Sequence, residues 1–114
     1  MLKDLDLARY TKVFLICGYT DLRMGQTGMV NLVQFKLGLN PFDQSAVFLF
    51  CGRKASVIKA LCCEGDGFVL ASKKLLRGRY QWPRNQSEAR ILTKDQYIQL
   101  MSGFSIESTI ENAY

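Results

Sequence analysis

The chain has 114 residues and no histidine, and its 15 Lys plus Arg against 10 Asp plus Glu give a formal net charge of +5. One domain of ordinary size fits this length, and such a chain buries roughly 65% of the surface its unfolded form exposes, so it requires no disulfide or metal staple. Without histidine, Ser–His and Cys–His couples and mixed Cys/His zinc sites are excluded, which favours a binding protein over an enzyme.

The first residues, Met1-Leu2-Lys3-Asp4-Leu5-Asp6, are charged and show no secretory pattern, and residues 1–10 are expected to fray. Val13–Cys17 is a β-branched and aromatic run, expected as a strand buried on both faces. The polar stretch Gly18–Gly25 leaves that strand and opens a helix, a place where ligands often bind, but it lacks the Gly-x-x-x-x-Gly-Lys of a phosphate loop. Within it Asp21 and Arg23 are expected as a structural pair or cap. Met29, Val30, Leu32, Val33 and Leu37 have helical spacing, Gly38 supplies a stop, and Leu39–Asp43 reads as a turn.

Val47–Cys51 is a second buried strand that ends, like the first, in Cys-Gly and a polar loop. Val57–Cys63 and Phe68–Leu75 flank Glu64-Gly65-Asp66-Gly67, a strong hairpin signal. A two-residue Asp66-Gly67 turn would set Lys59 opposite Lys74, an unfavourable like-charge pair. Gly78 marks a further reversal into Arg79–Trp82, ended by Pro83, so 57–82 is expected as a β-meander. Thr93-Lys94-Asp95-Gln96 matches a capping box, and Tyr97, Leu100, Met101 and Phe104 follow at helical spacing, with Gly103 near the end. Residues 107–114 carry no packing pattern and are expected to fray. The fold class is α+β: one domain over 1–114, with a mostly antiparallel sheet, a β-meander and two packed helices, one at each end of the strand block.

Cys17, Cys51, Cys62 and Cys63 contain no Cys-x-x-Cys, so buried free thiols are expected, with no metal site and no cofactor. No apolar run reaches the length of a membrane span, and a reducing cytoplasmic setting is expected. The charge is uneven. Arg53 to Arg90 holds nine cations and three anions, +6, and the remainder holds six cations and seven anions, −1. Lys and Arg there can neutralise phosphates, while Tyr80 and Trp82, interleaved with Arg79 and Gln81, either stack on bases or turn into the core.

Taken in order, the motifs Cys17–Arg23, Leu39–Asp43, Phe48–Arg53, Ile58–Leu61, Gly65–Phe68, Lys73–Leu75, Gly78–Pro83 and Leu92-Thr93 form a familiar series. The chain resembles the second-reading-frame accessory proteins (TnpB) of insertion-sequence-66-type transposons, which are unrelated to the RNA-guided nuclease sharing that label. The resemblance implies a bacterial, non-catalytic accessory protein of transposition that binds transposon DNA or helps assemble the transposase complex. Its motifs fall on Gly18, Tyr19, Asp21 and Arg23 in the first loop and on Arg53, Lys59, Asp66, Gly67, Lys74, Arg79, Trp82 and Pro83 beyond it. The family has Tyr-Trp-Asp where Cys62-Cys63-Glu64 stand, Lys where Met24 stands, and more arginines after Arg53.

The expectation is therefore DNA binding by a basic meander surface, with Arg23, Arg53, Lys54, Lys59, Lys73, Lys74, Arg77, Arg79 and Arg84 on phosphates and Tyr80 and Trp82 beside them. No catalytic residue is assigned. The alternative is a protein-interaction module that bridges the transposase or another accessory subunit through an apolar strip, Tyr97/Met101/Phe104, or an uncovered strand edge. Such an edge would also serve self-association as a homo-oligomer.

Overall fold

The two apolar runs become adjacent strands in the middle of one sheet. A computed structural model of the chain describes residues 5–84, 88–104 and 106. Strands β1 (Lys12–Ile16) and β2 (Ala46–Cys51) pair in parallel, Val13 opposite Val47 and Leu15 opposite Leu49. Parallel neighbours need a crossover, and here it is a 3₁₀ turn (Leu22–Met24), helix α1 (Gly25–Asn31) and a π turn (Leu32–Lys36). The crossover stops where Gly38 adopts φ +66°, a left-handed conformation that glycine takes without a Cβ penalty. Strands β3 (Val57–Cys63) and β4 (Phe68–Lys74) continue antiparallel from β2. Strand β5 (Ala89–Leu92) returns antiparallel to β1, giving the order β4-β3-β2-β1-β5. Helix α2 (Lys94–Met101) follows, opened by the expected capping box between Thr93 and Gln96.

Alternation along the strands divides the core into two layers. Val13, Leu15, Val47, Leu49, Ile58 and Ala60 pack against Tyr97, Leu100 and Met101 of α2. Ile16, Phe48, Phe50 and Leu61 pack against Met29 and Val33 of the crossover, and Phe14 stacks on Phe48 with ring centroids 5.1 Å apart. The α+β expectation, a mostly antiparallel sheet with two packed helices, therefore holds.

Four details differ. The meander is β2–β3–β4, and Arg79–Trp82 forms no strand, because Tyr80 and Trp82 are both drawn into the α2-side core. The helices do not bracket the strands, since the crossover lies between β1 and β2. The β3–β4 loop has four residues, Cys63 pairing Phe68, so Lys59 faces Ser72 and Lys74 faces Val57. That two-residue shift separates the like charges. Finally, Leu5, Leu7 and Tyr10 pack against the α2-side core, so the expected N-terminal fraying does not extend over 5–10. Residues 1–4 and 107–114 lie outside the described residues. Among the described residues no helix is long and apolar enough to cross a membrane.

Candidate functional site

Parallel pairing places the carboxyl ends of β1 and β2 side by side, which in open α/β sheets is where ligands bind. The loop after β1, the loop after β2, the start of β3 and the end of β4 meet at this end. They enclose a cleft of about 480 Å³ lined by Tyr19, Thr20, Asp21 and Leu22 on one side and Gly52, Arg53, Lys54, Ser56, Val57 and Lys74 on the other. The first-loop motif and the basic segment, 30 residues apart in sequence, are thus two walls of one cleft.

Backbone hydrogen bonds between distant segments hold these walls. Thr20 N donates to Cys51 O at 2.8 Å, Gly18 N to Pro83 O at 2.8 Å, and Tyr80 N to Ala55 O at 2.7 Å. Lys59 Nζ donates to Leu22 O at 3.0 Å and ties β3 to the first loop. Gly52 lets the loops approach, because a Cβ there would stand 3.1 Å from Leu22 Cδ1. Opposite it, Ala55 is fully buried at φ +59°, a left-handed conformation unusual for a residue with a Cβ. Such a conformation persists where surrounding contacts over-determine the backbone, here the bonds from Ala55 N to Gly52 O and from Tyr80 N to Ala55 O.

Asp21 behaves as the cap and pair that its spacing suggests. Its carboxylate caps the 3₁₀ turn by accepting from Arg23 N, and it accepts from Arg23 Nε and Nη2 at 3.0 and 3.1 Å. These bonds lower the Asp21 pKa and raise that of Arg23. Arg84 lies 4.9 Å from the centroid of the Tyr19 ring, a cation–π contact that orients a half-exposed tyrosine at the cleft wall.

The cations gather at one end of the sheet, not on one face. Lys59 and Lys74 project to the α1 side, while Lys73 and Arg90 project to the α2 side. Segments 17–24, 52–56, 73–84 and 88, all at the cleft end, carry Arg23, Arg53, Lys54, Lys73, Lys74, Arg77, Arg79 and Arg84 against Asp21 and Glu88. The expectation of a basic meander face is corrected accordingly, because period-two alternation sends neighbouring strand residues to opposite sides. Tyr80 and Trp82, 2% and 4% exposed, have their rings in the core. Trp82 Nε1 donates to Ile16 O at 2.9 Å, and the Tyr80 hydroxyl is buried without a hydrogen-bond partner among the described residues. Residues 17–24 contribute Tyr19 as the exposed ring that the basic segment lacks, from a motif loop outside the expected meander surface.

All four cysteines are free and buried. Cys17, Cys51 and Cys62 belong to the α2-side core, whereas Cys63 neighbours Cys62 on β3 and points to the other face. Burial pushes the Cys51 thiol up to about 12. Among the described residues no three Cys, Asp or Glu converge as a metal site. Of the apolar strip Tyr97/Met101/Phe104, the first two are core residues and Phe104 alone is exposed.

Comparison with known proteins agrees with the motif order. The chain is 37% identical over 92 residues to "Uncharacterized protein y4hO" of Sinorhizobium fredii, covering 81% of this chain and 79% of that one. It is 25% identical over 83 residues to "Uncharacterized protein y4jC" of the same organism, covering 73% and 70%. No solved structure matches. The family described as "IS66 Orf2 like protein" matches residues 11–111, nearly the whole chain, and the protein therefore belongs to that family of transposon accessory proteins.

Proposed function

We propose that this accessory protein acts in transposition by holding DNA at the cationic end of its sheet, without carrying out the strand chemistry itself. The observation that supports this reading is the convergence of the first-loop motif and Arg53, Lys54 and Lys74 on one cleft, with Arg84 over Tyr19 and with Lys73, Arg77 and Arg79 lining a neighbouring groove that shares Lys74. Phosphate contacts release counterions, so they give an affinity that falls with salt. Arg53, Lys54, Lys73, Lys74, Arg77, Arg79 and Arg84 are the phosphate ligands in this reading. Lys59 and Arg23 are positioning residues, Lys59 through Leu22 O and Arg23 through Asp21. Tyr80 and Trp82 support the loop from the core.

Titrating a duplex at increasing salt tests the reading. Log affinity should fall linearly with log salt, with a slope of about −0.9 per phosphate neutralised. No binding at low salt, or salt-independent binding, overturns it. A second reading, docking on the transposase, another accessory subunit or a second copy of this chain, is favoured by exposed Leu76, Ile98 and Phe104. Co-purification with the transposase that survives nuclease treatment and is lost on Leu76→Ser would select that reading instead.

A further inference from the structure

We propose that the cleft holds one unpaired nucleotide of the bound DNA, its base against Tyr19 and its flanking phosphates on Arg53, Lys54 and Lys74. The inference rests on the DNA-binding reading above and deepens it by naming the structure recognised. Size is the first ground. A volume of about 480 Å³ lies within the range of pockets that bury small ligands, roughly 300–1,000 Å³. A lone phosphate would leave most of it empty, and a paired base would have to leave its stack to enter.

Composition of the walls is the second ground. Leu22 and Val57 are apolar, Tyr19 offers a ring, and Arg53, Lys54 and Lys74 add three cations. Aromatic platforms combined with a cationic track are what single-stranded nucleic acid binders use, since every base has a π-face and every nucleotide a phosphate. The third ground is rigidity. Arg84 over the Tyr19 ring, Lys59 on Leu22 O, the close Gly52–Leu22 approach and the turn at left-handed Ala55 hold both walls through contacts within the chain. A wall that is already ordered loses little entropy on binding. The ring carries Arg84 against one face, so a base on its other face would complete a guanidinium–tyrosine–base stack.

The test uses three probes: a short duplex with one unpaired 2-aminopurine, the same duplex with that base paired, and free 2-aminopurine nucleoside monophosphate. The full chain should bind the unpaired probe about tenfold more tightly than the paired one, with a fluorescence change on the unpaired probe alone. Tyr19→Leu should remove that preference, so that the two duplexes bind alike, and Tyr19→Phe should keep it. Equal affinity for the two duplexes without a fluorescence change overturns the proposal while the phosphate reading stands. An equal loss on both duplexes in Tyr19→Leu also overturns it. Binding of the free nucleotide as tightly as the unpaired probe would make the cleft a small-molecule site. Absence of binding to either duplex at low salt would remove the phosphate reading and this proposal with it.

Discussion

At the end of the sheet away from the cleft, side chains complete their own turns. Asn40 Oδ1 accepts from Phe42 N, and Asp43 Oδ1 accepts from Ser45 N and Ser45 Oγ. Asp43 also pairs with Lys12 at 2.8 Å, Phe42 rests on Phe68 with centroids 5.4 Å apart, and Glu64 and Asp66 lie in the β3–β4 loop, which Glu64 N closes on Gly67 O. At the cleft end the turns are held differently. Backbone groups from distant segments bond to one another, Gly18 to Pro83, Thr20 to Cys51 and Tyr80 to Ala55, and Trp82 anchors on Ile16. Arg53, Lys54 and Lys74 are left with no carboxylate partner among the described residues. Local satisfaction makes the acidic end a scaffold, and long-range backbone satisfaction lets the basic end present charge.

Truncating one anchor at each end is the severest way to test that contrast. Trp82→Ala removes a buried ring and leaves Ile16 O without its indole donor, so it should cost about 3–5 kcal/mol in chemical denaturation. Phe42→Ala removes a half-exposed ring from a tilted pair and should cost at most about 1.5 kcal/mol. Comparable losses would show that the cleft end does not depend on its long-range anchor.

The acidic end can be probed by pH. The Lys12 and Ser45 bonds lower Asp43 from 3.8 to about 2. The folded pKa is the lower one, so the stability it supplies is complete above about pH 4 and is lost as the pH falls toward 2. Lys12 is half-exposed and the pair is screened, so Asp43→Asn should cost about 1 kcal/mol at neutral pH. The variant should also flatten acid unfolding between pH 4 and 2, and an unchanged acid limb would remove Asp43 as its cause. Smaller still is Tyr80→Phe. It deletes a buried hydroxyl that has no partner among the described residues, so thermal unfolding should show unchanged or higher stability, by up to about 1 kcal/mol. A clear loss would mean that the hydroxyl is satisfied.

Much of the scaffold was legible because its signals are local. Val13–Cys17 and Val47–Cys51 are too apolar for any surface position, Asp66-Gly67 marks a reversal, and Thr93 with Gln96 writes a helix start. Strand β5 was missed because it is four residues long, contains Arg90 and depends on β1 for its ladder. Arg79–Trp82 misled for the opposite reason: its aromatic alternation imitates a strand, while the indole hydrogen bond and core burial that place it are tertiary. The basic segment and the first loop could each be read from sequence. Their meeting in one cleft follows only from the parallel β1–β2 pairing, which no spacing within either segment records.

The measurement that bears most directly on the basic end as the DNA-holding surface is the salt dependence of duplex binding for two sets of charge variants. Replacing Arg53, Lys54 and Lys74 by Gln should reduce the log–log slope by about 1 per cation and weaken binding at every sequence tested. Replacing Lys12 and Lys94, cations at the opposite end, should leave slope and affinity within error of the parent. Equal slopes in the two sets, or a larger change from Lys12 and Lys94, would contradict the account.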